Sequence, residues 1–184
     1  MEIHIIRHTQ VEIPDGICFG QTDVALRHNW KEDLATVQID NDYNTIYTSP
    51  LNRCVQLAVH FSLAYRKDAR LIEMNFGDWE MKNWDDIPAG EIEPWYNDFV
   101  HTTPPGGENL LMLRERVSDF FEEVQQKHTD DKILVITHSG VMRLFLQKVL
   151  EFPLRNMFRI QPKYGKRIIM KKNAGIWKIE GINC

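Results

Sequence analysis

Two short runs in this chain, "IHIIR" from Ile3 and "KILVIT" from Lys132, are apolar stretches bounded by polar residues. Strands composed this way are buried on both faces, which requires a sheet sandwiched between helices. The rest of the sequence supplies both kinds of element. "NTIYTSP" reads as a second short strand closed by Ser49-Pro50. "LNRCVQLAVHFSLAY" repeats apolar residues at helical spacing, at Leu51, Val55, Ala58, Val59 and Ser62 or Leu63, with Pro50 where a helix start tolerates proline. A polar stretch from Asn29 to Ile39 reads as a further helix. "GENLLMLRERVSDFFEEVQQKH" is the clearest amphipathic helix, with Leu110, Leu113, Val117, Phe120, Phe121 and Val124 on one face. After "KILVIT" comes a Ser139-Gly140 turn and another helix. "KRIIMKK" and "GIWKIEGI" alternate apolar and polar residues and meet at Asn173-Ala174-Gly175, the pattern of an antiparallel hairpin. The expectation is a three-layer α/β/α fold. Its central sheet is mostly parallel, with helices on both faces and a C-terminal antiparallel hairpin. The chain from 1 to 184 is read as a single domain, with an irregular insertion around 80–107 that holds a helix near Glu93–Val100.

Composition narrows the class. The hydrophobic fraction of 43% and the charged fraction of 26% are ordinary for a globular domain. A net charge of -4 with no long Lys/Arg run argues against a nucleic-acid binder. No stretch approaches the roughly 20 apolar residues of a membrane span. Cys18, Cys54 and Cys184 are far apart with no Cys-x-x-Cys pair. A disulfide framework is therefore not expected. With no leader before the first strand, a cytoplasmic protein is.

In sheets of this kind ligands gather beyond the carboxyl ends of the strands. Arg7-His8, Thr48-Ser49 and Thr137-His138 all follow buried strands, so they are expected on one rim. Arg53 stands in the first turns of a helix, against the dipole, which implies another reason for its presence. Glu73 follows an apolar pair and precedes a Gly turn. Two histidines and two arginines around one cavity suit a phosphoryl group, because guanidinium forks match phosphate oxygens. A neutral imidazole is a nucleophile toward phosphorus, and a carboxylic acid can protonate the leaving oxygen. The two arginines would repel a metal ion, so no metal or cofactor is expected.

"IIRHTQ", "SPLNRCVQLA", "LIEMNFGDWE", "PPGGENLLMLRERV" and "VITHSGVMRLFL" occur in the order found in the histidine phosphatase superfamily, the phosphoglycerate-mutase-like proteins, which this chain resembles from about Met1 to Leu146. Within it, "RHTQVEIPDGICFGQTDVAL" and "EMNFGDWEM" look most like the α-ribazole phosphatases of cobalamin assembly. The resemblance implies a role for each matching position. His8 would be the phosphohistidine nucleophile, Arg7 and Arg53 the phosphate clamp, His138 a donor to the phosphoryl oxygens, and Glu73 the proton donor. Backbone N–H groups of Ser139 and Gly140 would face phosphate, Gly20 and Gln21 would border the substrate, and Glu108 would approach the pocket. Thr9 stands where many members carry Gly.

Two questions stay open at the level of sequence. Glu80 competes with Glu73 as the acid. The strand-like entry before Glu73 is expected to deliver it to the rim, while the Gly77 turn carries Glu80 away. Trp79, Trp84, Trp95, Tyr96 and Phe99 would either stack on a flat substrate base or form the insertion's own small core. The implied function is a phosphomonoester hydrolase acting on a small molecule. A phosphoglycerate mutase or broad-specificity sugar phosphatase is the runner-up, and a non-catalytic phospho-ligand module the alternative from another class.

Overall fold

Odd and even residues of the central strands part to opposite faces, as the pleat requires. Ile3, Ile5, Ile133 and Val135 enter one hydrophobic core, while Ile6, Leu134 and Ile136 enter another. The computed structural model describes residues 1–35, 37, 39–61 and 64–184. Its strands are β1 (Glu2–Arg7), β2 (Thr45–Thr48), β3 (Arg66–Lys67), β4 (Lys132–Thr137), β5 (Arg167–Asn173) and β6 (Ile176–Ile182). They form a six-stranded sheet in the order β3-β2-β4-β1-β5-β6. β1, β2, β3 and β4 run parallel, and β5 and β6 are antiparallel additions. The mixed sheet with its C-terminal hairpin matches the expected fold. Ala174 and Gly175 both take positive φ, 48° and 82°, which gives the two-residue turn the twist of its flanking strands.

Five α-helices are described: α1 (Trp30–Leu34), α2 (Asn52–His60), α3 (Ala89–Asn97), α4 (Leu110–Lys127) and α5 (Ser139–Leu150). α4 and α5 cover one face of the sheet through Phe120, Phe121, Leu144 and Phe145. α1 and α2 cover the other through Leu34, Cys54, Leu57 and Ala58. All six apolar positions read for α4 are buried, and Asn109 caps it by accepting from the Met112 N–H at 3.0 Å.

Several local expectations are corrected. The buried face of α2 is Arg53, Cys54, Leu57 and Ala58, and Val59 is exposed. The helix turns its one arginine inward, which shifts the phase from the one apolar residues alone suggest. Pro50 precedes the cap residue Leu51 and so lies outside the helix. Ser62 and Leu63 lie outside the described residues. α1 ends at Leu34, short of Ile39, with residues 36 and 38 also outside the description. α3 begins before Glu93 because Ile92 and Trp95, three apart, set its phase against Cys18, Trp79 and Ile87. Ser139 and Gly140 are the first residues of α5 rather than a turn. The segment before Glu73 enters through a 3₁₀ turn at Ala69–Leu71 and is extended only at Ile72.

Phe120 is fully buried between α4 and the sheet, packed edge-on to Tyr47 with ring centroids 5.2 Å apart. Phe120→Ala is expected to lower unfolding free energy by about 3–5 kcal/mol, the cost of a large core cavity, read by urea denaturation.

Candidate active site

β1 ends at Arg7, and the His8 N–H continues the ladder by donating to the Thr137 carbonyl at 3.1 Å. This fixes His8 at the junction of β1 and β4. Its ring Nδ1 lies 2.7 Å from the Thr9 carbonyl oxygen. A carbonyl only accepts, so Nδ1 carries the proton and Nε2 keeps its lone pair. The ring is buried, and it lines a cavity at the carboxyl rim. Burial, then the charges of Arg53 and Arg7, push its pKa well below the ordinary 6.5. Both effects favour the neutral ring.

The cavity also carries Arg7, Arg53 and Arg143. Arg7 donates from Nη1 to the Pro162 carbonyl at 2.9 Å and lies 3.6 Å from the centroid of the Tyr164 ring. Tyr164 also packs on His8, with centroids 5.5 Å apart. The aromatic face packs against the guanidinium beside His8. The Arg7 Nε is buried with no hydrogen-bond partner among the described residues. Arg53 reaches inward from α2, donating from Nη1 to the Thr22 carbonyl at 2.8 Å and from Nη2 to that of Gly20. Arg143 was not singled out in the sequence. It follows Ser139 by one helical turn, donates from Nε to the Ile160 carbonyl at 2.8 Å, and sits under the Phe158 ring. The four-residue spacing from the helix start was the signal available for it.

His138 is placed differently from the expected phosphoryl donor. It caps α5 beside His8, with ring centroids 5.2 Å apart, but both its nitrogens are engaged by protein. Nδ1 is 3.3 Å from Arg53 Nε, and Nε2 is 2.8 Å from Ser49 Oγ. In this arrangement His138 acts on the cavity through Arg53.

Glu73 lines the cavity. Its Oε2 accepts from the Gly140 N–H at 3.0 Å, and its Oε1 from the Met74 N–H at 3.1 Å. The carboxylate therefore occupies the amino end of α5, where the dipole favours it. It takes the Gly140 N–H that the sequence had directed at phosphate. A Cβ at Gly140 would press on the Glu73 carboxylate, so a larger residue there would displace that side chain. Glu80 is kept out of the cavity lining, as expected, but it does not face solvent. It turns back to accept from the backbone N–H groups of Gln21 at 2.8 Å and Phe76 at 3.1 Å, and from the Thr22 hydroxyl. Burial works to raise its pKa, and these donors outweigh it, holding it below 4.5. Glu80 is a brace for the 20–22 loop, outside the cavity lining.

Gly20 packs under the Met74 carbonyl, where a Cβ would not fit, and offers its own carbonyl to Arg53. Gln21 donates from Nε2 to the Glu73 carbonyl at 3.1 Å. Both border the site by shaping it. Glu108 does not line the cavity. It is buried against Arg116 at 2.6 Å, and Arg116 in turn donates to the carbonyls of Arg70, Ile72 and Glu73. It acts as the counter-ion of the residue that holds the acid-bearing segment.

The cavity is also lined by the aromatic residues Phe19, Phe76, Trp95, Phe99 and Phe158, of which Phe19 packs near Arg53 and Phe158 near Arg143. The open question about the aromatic insertion divides by residue. Trp79 is core, with its indole N–H given to Glu91 at 2.9 Å, and Trp84 stacks on Trp95. Trp95 and Phe99 serve that core and also wall the cavity. Phe19 and Phe158 carried no periodic signal that would mark them. Among the described residues no group of three or more His, Cys, Asp or Glu is placed to hold a metal ion.

Comparison with known proteins agrees with this geometry. A model of the histidine phosphatase superfamily (branch 1) matches residues 3–184. An adenosylcobalamin/α-ribazole phosphatase of Escherichia coli K12 is 29% identical over 178 residues, covering 90% of this chain and 87% of that protein. Phosphoserine phosphatase 1 of Hydrogenobacter thermophilus is 26% identical over 154 residues, covering 78% and 73%. The crystal structure of an α-ribazole phosphatase from Shigella flexneri superposes with a TM-score of 0.89 at 25% identity, covering 100% of this chain and 96% of that one.

The depressed His8 and His138 pKa values fix a pH dependence. Between the lowered folded values and 6.5 the unfolded chain binds more protons than the folded one. Their contribution to stability is full above pH 6.5 and is lost as pH falls below it. Urea midpoints measured from pH 8 to pH 4 are expected to fall on the acid side of 6.5, and less steeply in His8→Asn.

Proposed function

The chain belongs to the histidine phosphatase superfamily, and from that premise we propose that it hydrolyses α-ribazole 5′-phosphate through a phosphohistidine on His8. The observation that carries the reading is the His8 ring. It is buried, tied through Nδ1 to the Thr9 carbonyl, and lies beside arginines in a cavity whose lining also carries aromatic rings. A buried neutral imidazole costs little to keep ready, and the guanidinium groups supply the charge that the phosphoryl oxygens need in transit.

The reaction runs in two steps. His8 Nε2 forms a bond to phosphorus as the bond to the ester oxygen breaks, and the Glu73 carboxylic acid gives its proton to that leaving oxygen. Water then attacks phosphorus, Glu73 takes its proton, and the P–N bond breaks to return the lone pair to Nε2. Arg7 and Arg53 hold the phosphoryl group throughout, and Arg143 faces the same space. No metal enters either step. The aromatic wall of Trp95, Phe99 and Phe158 suits the flat benzimidazole of the ribazole leaving group. The cellular role would then be in cobalamin assembly, in the cytoplasm.

Turnover of α-ribazole 5′-phosphate should exceed that of phosphoserine, 3-phosphoglycerate and sugar phosphates by at least about tenfold in kcat/KM, undiminished by EDTA. A preference for phosphoserine would move the assignment to the other class of relatives. Dependence on a bisphosphate primer would make the enzyme a mutase. Glu73→Gln is expected to slow hydrolysis of the ribose phosphate by about 10²–10⁴-fold, and to slow phosphorylation of His8 by p-nitrophenyl phosphate much less, because nitrophenolate leaves without a proton. Equal losses on both substrates would remove Glu73 from the role of acid.

A further inference from the structure

We infer that Ser49 is a positioning residue: its hydroxyl accepts from the Nε2–H of His138 and fixes that ring, and the bare Nδ1 of the ring orients the Arg53 guanidinium in the cavity. The chain of contacts is short and buried throughout. Ser49 Oγ lies 2.8 Å from His138 Nε2, and His138 Nδ1 lies 3.3 Å from Arg53 Nε. Ser49, Arg53 and His138 are each 0–1% exposed, so water does not substitute for a lost partner.

The direction of each bond follows from what the groups can do. Guanidinium nitrogens only donate, so His138 Nδ1 has to be the acceptor. A neutral imidazole then carries its one proton on Nε2, and Ser49 Oγ receives it. The reverse arrangement, with Ser49 donating to Nε2, would put a proton on Nδ1 facing the Arg53 N–H, two donors opposed in a dry site. An imidazolium would repeat that clash beside the charges of Arg53 and Arg7. Arg53 therefore selects the tautomer of His138, and Ser49 Oγ supplies the acceptor that the resulting Nε2–H needs and so fixes the ring.

The consequence falls on the arginine. Nη1 and Nη2 are given to the carbonyls of Thr22 and Gly20 on one side, and Nε to His138 on the other. Three fixed points define the plane of the guanidinium, and a plane is what bidentate capture of a phosphoryl group requires. Three separate parts of the chain are coupled by it: the end of β2, the first turn of α2 and the cap of α5.

The catalytic arm of the test rests on the phosphatase reading, and the spectroscopic arm does not. Ring ¹⁵N–¹H correlation spectra of the wild-type protein at pH 7.5 should show His138 as the Nε2–H tautomer and His8 as the Nδ1–H tautomer. Ser49→Ala should keep the Nε2–H tautomer that Arg53 imposes, shift and broaden the His138 Nε2–H resonance whose acceptor it removes, and lower kcat/KM by roughly 10–100-fold, the scale of partners that orient functional histidines. In an Arg53→Lys background the same change should cost less than about threefold, because the plane it protects is already gone. A His138 found as Nδ1–H or as imidazolium would overturn the inference, as would Ser49→Ala and Arg53→Lys losses that multiply in full. A wild-type protein with the expected tautomers and no phosphatase activity would support the geometry and defeat the functional reading.

Discussion

A buried guanidinium is the constraint around which this site is built. Arg53 is 1% exposed, and a cation removed from water to that extent needs acceptors for its donors, which the protein supplies here on each of its three nitrogens. Its Nη nitrogens take the carbonyls of Gly20 and Thr22, and its Nε takes His138. The loop supplying those carbonyls is fixed in turn by Glu80, through the N–H groups of Gln21 and Thr22. Gln21 then reaches the backbone of Glu73, and Arg116 with its counter-ion Glu108 ties down the same segment from the other side. The acid, the clamp and the strand ends are thus held by one continuous set of polar contacts. Breaking it at any buried member leaves another unsatisfied.

The same charge bears on the state of the histidines. Burial first, and then the charges of Arg53 and Arg7, disfavour a second proton on the His8 ring. The arginines that would bind a phosphoryl dianion therefore also favour an unprotonated His8. Among the described residues Glu73 is the one carboxylate lining the cavity, where it meets the N–H of Gly140 at the start of α5 and that of Met74. The other nearby acids, Glu80 and Glu108, are spent on structure.

The sheet and its faces were legible because β1 and β4 are apolar on both sides and α4 keeps an unbroken helical phase. The same logic misplaced α2, since Arg53 and Cys54 turn inward and apolar counting alone assigns Val59 to the core. Function overrode pattern at that helix. Residues with paired or unusual positions, such as Arg7-His8 and Thr137-His138, stood out at strand ends. Ser49 was visible as a strand-end residue but its task was not, because it depends on a ring eighty-nine positions away. Arg143 and Tyr164 were silent for a similar reason: an arginine on a helix and a tyrosine in a loop acquire meaning only when the fold sets them against Ser139 and Arg7. Glu73 and Glu80 could be told apart only by seeing which N–H groups each one meets.

The central claim is that the neutral, arginine-flanked His8 accepts a phosphoryl group. Rapid quenching of the enzyme with a ³²P-labelled phosphomonoester tests it directly. The account predicts an acid-labile, base-stable label that maps to His8 and is absent from His8→Ala. A label of equal yield in His8→Ala, or turnover by the wild-type enzyme with no covalent species at any quench time, would contradict it.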